Sequence, residues 1–195
     1  TSDLTSVESF ARDKHSKMTL SDGTTPYFHH LEGVVNRLKN IGISNKEILA
    51  AAWLHDTIEY TNTNFDEIDS RFGSRISVLV LSLSKNKNVS KEQREKQYVK
   101  QLIESPFESK IIKLSDISSN LRDLKNASWS KTKKVKAIKR EIHYLNAIKP
   151  VLIEHKSQIL GIQGIVDGIN DVITSYGQRP ITISDRFTSH DRVSK

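Results

Sequence analysis

The sequence predicts an all-α protein, and three observations carry that expectation. Apolar residues recur at three- and four-residue steps, as in Ile111, Ile112, Leu114, Ile117, Leu121 and Leu124. Residues that favour helix starts precede such runs, with Asn64 and Ser130 as single caps and Ser44…Glu47 and Ser90…Gln93 spaced as capping boxes. Helix terminators follow them at Gly42, Gly73 and Pro106.

Taken in order, residues 4–17 read as a helix with Leu4, Val7, Phe10 and Ala11 inward, and 18–27 read as a loop from Ser21-Asp22-Gly23-Thr24-Thr25-Pro26. A helix from about His29 carries Leu31, Val34, Val35, Leu38 and Ile41 to Gly42. Ser44 is expected to cap the next helix, whose apolar run Ile48 to Trp53 continues through His55 and Asp56 toward Asn62. Asn64 opens a short helix to Phe72. The apolar run in 75–84 suits a buried strand or a helix, and its helical neighbours favour helix. A Lys/Asn/Ser loop over 85–91 leads into a helix from Ser90 to about Glu104, and another follows Pro106 over 108–124. Ser130 caps a basic helix to about Ala147. Pro150 is expected to start a further helix at its first turn, reaching about Tyr176 through Gly161, Gly164 and Gly168. The expected organisation is one domain over 1–176 and a polar tail over 177–195, either flexible or docked on the surface.

A chain of 195 residues is long enough for one full core. No run approaches the ~18 apolar residues of a membrane helix, and no leader pattern opens the sequence. The absence of Cys excludes disulfides, thiolate zinc sites and cysteine nucleophiles, and suits a cytoplasmic setting. The net charge of +7 suggests an anionic partner: a nucleotide, a nucleic acid or anionic lipid. Much of the excess lies in Lys85–Lys100 and Lys131–Arg140, where a solvated face is the alternative.

Chemistry concentrates at Leu54-His55-Asp56-Thr57-Ile58-Glu59-Tyr60-Thr61. An imidazole and a carboxylate side by side at the end of a buried helix are costly unless a cation neutralises them, and a divalent metal accepts both as ligands. On a continuous helix Glu59 faces the same way as His55 and Asp56. His29-His30 stands where a loop becomes a helix, and Asp116 stands inside an otherwise apolar helix with Asn120 on its own face. One His, the His-Asp pair and the distant Asp make four N/O ligands from three helices. That set suits a borderline-to-hard divalent ion with open positions for water.

The order His, His-Asp, Asp is similar to that of the HD-domain metal-dependent phosphohydrolases. Longer strings resemble the RelA/SpoT hydrolase domain: Pro26-Tyr27-Phe28-His29-His30, the segment from Leu54 to Thr61, Phe65-Asp66-Glu67-Ile68, Phe72-Gly73, and Lys113-Leu114-Ser115-Asp116 through Asn120-Leu121-Arg122-Asp123-Leu124. Small stand-alone alarmone hydrolases of the metazoan SpoT-homologue type fit best, over roughly residues 4–150.

That resemblance implies a single all-helical HD-domain fold, Mn²⁺ or another divalent ion as cofactor, and removal of the 3′-pyrophosphate from the guanosine alarmone ppGpp. It implies His30, His55, Asp56 and Asp116 as metal ligands, with His30 preferred to His29 by its place in the family motif. It implies Glu59 as the carboxylate that positions or deprotonates the attacking water, and Asn120 and Arg122 beside the nucleotide. Two departures stand out. The family usually has Glu-Asp where this chain has Glu59-Tyr60, and a phenol of pKa ~10 is no base at neutral pH, so Tyr60 is expected in the pocket wall. The loop before Pro26 lacks the family's Arg or Lys pair, so Lys85, with Lys87, Lys91 and Arg94, is expected to supply phosphate contacts. The expected partner is a small phosphorylated nucleotide. Membrane and nucleic acid are not expected, and self-association stays open. Two alternatives remain at this stage: hydrolysis of another nucleotide, such as the 2′-phosphate of a nicotinamide dinucleotide, and a catalytically weakened alarmone sensor.

Overall fold

A computed structural model describes residues 3–184, in which ten helices follow one another: α1 (Leu4–Lys14), α2 (Phe28–Asn40), α3 (Lys46–Leu54), α4 (Thr57–Tyr60), α5 (Phe65–Phe72), α6 (Ser74–Ser82), α7 (Lys91–Glu104), α8 (Phe107–Leu124), α9 (Lys131–His155) and α10 (Gly161–Ser175). Among the described residues no strand forms, and an isolated bridge joins Thr19 to Pro26. The all-α expectation holds, and the apolar run of 75–84 resolves to helix as far as Ser82. No helix of the described residues is long and apolar enough to cross a membrane.

The caps show why the helices start where they do. The Asn64 side chain accepts from the Glu67 N–H, Ser90 from that of Gln93 and Ser130 from that of Lys133. For α3 the cap is Asn45 rather than Ser44: its Oδ1 takes the N–H groups of both Glu47 (2.9 Å) and Ile48 (3.1 Å). Gly73 ends α5 and leads into α6 at φ 95°, a left-handed backbone that a side chain would strain.

α8 is the hub. It packs against α2, α3, α6, α9 and α10, and residues on every side of it are buried, including Ile111, Leu114, Ile117 and Leu121. A helix covered all round shows little amphipathicity and can carry polar groups only where a neighbour satisfies them. α2 approaches it closely at Gly33, where a Cβ would stand 3.2 Å from Ser119 Oγ. α10 begins against the end of α2. A Cβ at Gly161 would sit inside the Ile41 side chain, 3.1 Å from Ile41 Cα.

Two expectations need correction. The helix of the His-Asp pair is not continuous: α3 stops at Leu54, and a single turn, α4, restarts at Thr57. His55 Nδ1 donates to the Ala52 carbonyl (2.7 Å) and the Thr57 hydroxyl to that of Leu54 (2.6 Å), so side chains satisfy the final carbonyls. Pro150 does not start a helix but lies inside α9, which runs on to His155. The proline removes one backbone bond, to the exposed Asn146, where solvent can replace it, while buried Ile148 and Leu152 anchor the helix on either side. Of the expected polar tail, residues 178–184 take the docked alternative. Asn170 makes paired hydrogen bonds to the Ile181 backbone (2.8 Å each), Lys156 Nζ donates to the Ile183 carbonyl (2.7 Å), and the Ile183 side chain is buried. The remainder of the expected tail, 185–195, lies outside the described residues.

Candidate metal centre

α2, the α3–α4 turn and α8 bring His30, His55, Asp56 and Asp116 together, all four buried. His30 Nε2 lies 3.1 Å from Asp116 Oδ1 and 3.4 Å from Asp56 Oδ2. His55 Nε2 lies 3.4 Å from Asp116 Oδ1 and 3.3 Å from Asp56 Oδ2. Two donor atoms each ~2.1 Å from a shared ion and at right angles to it are ~3 Å apart, so these separations match a coordination shell.

The outer nitrogens explain the orientation. His55 Nδ1 is used by the Ala52 carbonyl and His30 Nδ1 by Ser119 Oγ (3.0 Å), which turns both Nε2 atoms toward the carboxylates. His30 Nε2 is buried and makes no hydrogen bond at this orientation, as befits an atom whose partner is a cation. The chemistry of the donor set fits a divalent ion: neutral imidazole and carboxylate oxygen, with no sulfur. Ligand atoms of His30, His55 and Asp56 all lie within 4.8 Å of one another.

The electrostatics point the same way. Burial works against charge on His30, but the Asp116 and Asp56 carboxylates outweigh it and raise its pKa to about 10. Burial likewise opposes ionisation of Asp56, yet His55 and His30 hold it at about 2. Such a cluster holds a positive charge among two anions. Each aspartate also has a fixed outer partner. The Tyr27 hydroxyl donates to Asp56 Oδ2 (2.6 Å), Lys113 Nζ to Asp116 Oδ2 (2.8 Å), and Asn120 Nδ2 to Asp116 Oδ1 (3.2 Å). Lys113 is itself buried, with its ammonium 5.2 Å from the Tyr98 ring centre and 4.8 Å from that of Tyr144.

The cluster forms part of the wall of a cavity of about 460 Å³, which also includes Glu59, Tyr60, Lys85, Asn120, Trp129, Arg140 and Glu141. That volume lies within the ~300–1,000 Å³ range of small-molecule sites. Glu59 borders it with Oε1 fixed by the Lys85 backbone N–H (2.8 Å). Tyr60 forms wall and is half exposed.

Of the residues expected beside the substrate, Asn120, Tyr60 and Lys85 border the cavity. Arg122 is exposed and does not border the cavity. Asn120 and Arg122 are only two residues apart on α8, a spacing that places them on different faces. Lys85 does border the cavity, but its ammonium is paired with Glu95 (3.0 Å), with the Tyr98 and Tyr144 rings at 5.2 and 5.0 Å. Arg94 caps the carbonyls of Asn86, Lys87 and Val89 instead of reaching the cavity, and Lys87 and Lys91 do not border it either.

Lys113 and Glu141 were not singled out from sequence. Lys113 left a trace, a cation three residues before Asp116 in an apolar helix. Glu141 occupies an inward position of the stripe Ile138, Leu145, Ile148, Leu152, hidden by its basic neighbours. Its Oε1 lies 3.4 Å from Asn120 Nδ2, its Oε2 has no partner, and burial raises its pKa to about 7 against the opposing pull of Lys113.

The HD-domain family profile matches residues 8–147, and the chain belongs to that family. Curated relatives narrow the likeness. The chain is 36% identical over 132 residues to guanosine-3′,5′-bis(diphosphate) 3′-pyrophosphohydrolase MESH1 of Danio rerio, spanning 65% of this chain and 73% of that protein. It is 36% identical over 132 residues to the Homo sapiens protein of the same name, with 65% and 74% covered. A solved structure described as a metazoan orthologue of SpoT that hydrolyses ppGpp superposes with a TM-score of 0.77 over 91% of this chain and 97% of that one. At 22% identity that match speaks for the fold.

Proposed function

We propose that the chain is a divalent-metal-dependent hydrolase, with Mn²⁺ as its ion, that removes the 3′-pyrophosphate from guanosine 3′,5′-bis(diphosphate). The observation that carries this reading is the convergence of two imidazoles and two aspartates beside a glutamate that borders the same cavity. The names of the relatives support the substrate.

In this reading His30, His55, Asp56 and Asp116 hold the ion. When bound, the ion supplies acidity to a water and offsets charge on the phosphoryl oxygens. Glu59, with Oε1 fixed by the Lys85 N–H, orients the attacking water through its second oxygen and accepts its proton. The water oxygen attacks the phosphorus joined to the ribose 3′-oxygen. The P–O3′ bond breaks, pyrophosphate leaves, and the 3′-oxygen takes up a proton. Asn120 has its amide nitrogen between the Asp116 and Glu141 carboxylates, which leaves its carbonyl oxygen as an acceptor for a ribose hydroxyl. Tyr60 contributes wall and a hydrogen-bond donor.

Incubation with Mn²⁺ and guanosine 3′,5′-bis(diphosphate) is expected to release pyrophosphate, and His55→Ala to abolish release. A panel of Mn²⁺, Mg²⁺, Zn²⁺ and Co²⁺ tests the ion. Wild-type protein that turns over no 3′-pyrophosphorylated nucleotide with any of these metals would overturn the proposal.

A further inference from the structure

The cations that border the cavity are Lys85, Lys113 and Arg140. Two are already committed, Lys85 to Glu95 at 3.0 Å and Lys113 to Asp116 at 2.8 Å. The loop before α2 contributes Met18, Thr19, Leu20 and Ser21 to the wall, none of them charged. Arg140 is exposed on α9 and makes no hydrogen bond or ion pair among the described residues. It is therefore the cavity-bordering cation whose head group is held in no hydrogen bond or close ion pair, although Glu95 and Glu141 lie near enough to feel its charge.

Its place on α9 fits that role. The next residue, Glu141, is one asparagine away from the metal centre, through Asn120 to Asp116 (3.4 and 3.2 Å). One turn earlier, Ala137 borders the cavity, as does Trp129 just before the helix. Arg140 thus stands at the rim, on the side of the cavity where α9 passes the aspartate.

We propose that Arg140 grips the phosphate group that is not attacked, the 5′-diphosphate of a nucleotide whose 3′-pyrophosphate lies at the metal centre. This rests on the functional reading above. A guanidinium presents a planar fork to phosphate oxygens and stays charged at any working pH, which suits a contact at a solvated rim. It takes the place that the sequence suggested for Lys85 and its neighbours, and it selects nucleotides that are anionic at both ends.

The test uses guanosine 3′,5′-bis(diphosphate) and guanosine 3′-diphosphate with a free 5′-hydroxyl. Binding is measured by titration calorimetry in EDTA, and turnover with Mn²⁺. For Arg140→Ala, affinity for the first nucleotide is expected to fall about tenfold and KM to rise by the same factor, with kcat within about twofold. Neither changes for the second nucleotide, and Arg140→Lys recovers part of the loss. Unchanged affinity for the first nucleotide, or an equal loss on both, overturns the proposal. Wild-type turnover decides the functional reading separately, because the difference in binding between the two nucleotides is measured without hydrolysis.

Discussion

Replacing Lys113 by methionine would test whether the ammonium serves the metal centre or merely fills space. Lys113 Nζ stands 2.8 Å from Asp116 Oδ2, and both residues are buried. At that distance the attraction is about 6 kcal/mol for an effective dielectric of ~20, before desolvation is set against it. Methionine keeps most of the volume against the Tyr98 and Tyr144 rings but leaves Asp116 without its partner. Breaking a buried pair from one side costs ~3–5 kcal/mol. The lower figure applies, because the neighbouring imidazoles can each hold a proton against Asp116. In EDTA, Lys113→Met is therefore expected to lose about 3 kcal/mol, or roughly 6–12 °C in Tm for a domain of this size. With saturating Mn²⁺ the ion neutralises Asp116 instead, and the deficit should shrink to about 1 kcal/mol or less. Urea denaturation with and without metal measures both. An equal deficit in the two conditions, or none in EDTA, would refute the assignment of Lys113 as the counter-charge of Asp116.

Three further outcomes are expected. Gly161→Ala places a methyl group inside the Ile41 side chain and should cost ~1–3 kcal/mol in urea denaturation while leaving Mn²⁺ affinity unchanged. Asp116→Asn removes one of the carboxylates proposed to hold the ion and the partner of Lys113, so calorimetric titration should show Mn²⁺ affinity lowered by at least about tenfold. Burial lifts the Glu141 carboxyl from 4.5 to about 7 despite Lys113, so the folded state binds its proton more tightly than the unfolded chain does. That contribution is present below pH 4.5 and lost as pH rises through about 7. Glu141→Gln should therefore gain on the wild type across that window in metal-free Tm profiles, and a gap that does not vary with pH would count against it.

Much of this architecture was legible because it is locally encoded. Asn64, Ser90 and Ser130 announce helix starts through bonds to backbone groups three residues away, and α8 declares itself through apolar periodicity. The convergence of His30, His55, Asp56 and Asp116 was legible in part: the His55-Asp56 pair and an acid inside an apolar helix each call for a counter-charge, while His30 is preferred to His29 by resemblance to the family motif. What the sequence concealed depends on partners distant along the chain. Lys85 looks free until Glu95 is folded against it, and Arg122 looks equivalent to Asn120 until the helix turns it outward. The break between α3 and α4 was hidden because His55 serves two purposes, with one nitrogen toward the cluster and the other on the Ala52 carbonyl. Pro150 misled for a similar reason, since packing at Ile148 and Leu152 outweighs the loss of one backbone bond.

The burial of α8 on all sides divides the cavity into two parts with different freedom to change. Lys113, Asp116 and Asn120 project from a helix wedged among five others, so any substitution there must satisfy the packing of the whole domain. Met18 to Ser21 and Arg140 border the opening on a loop and on the outer side of α9, where exchanges disturb little else. Divergence in what the cavity admits should therefore accumulate at the mouth, over a His/Asp cluster whose geometry is held constant by the core beneath it.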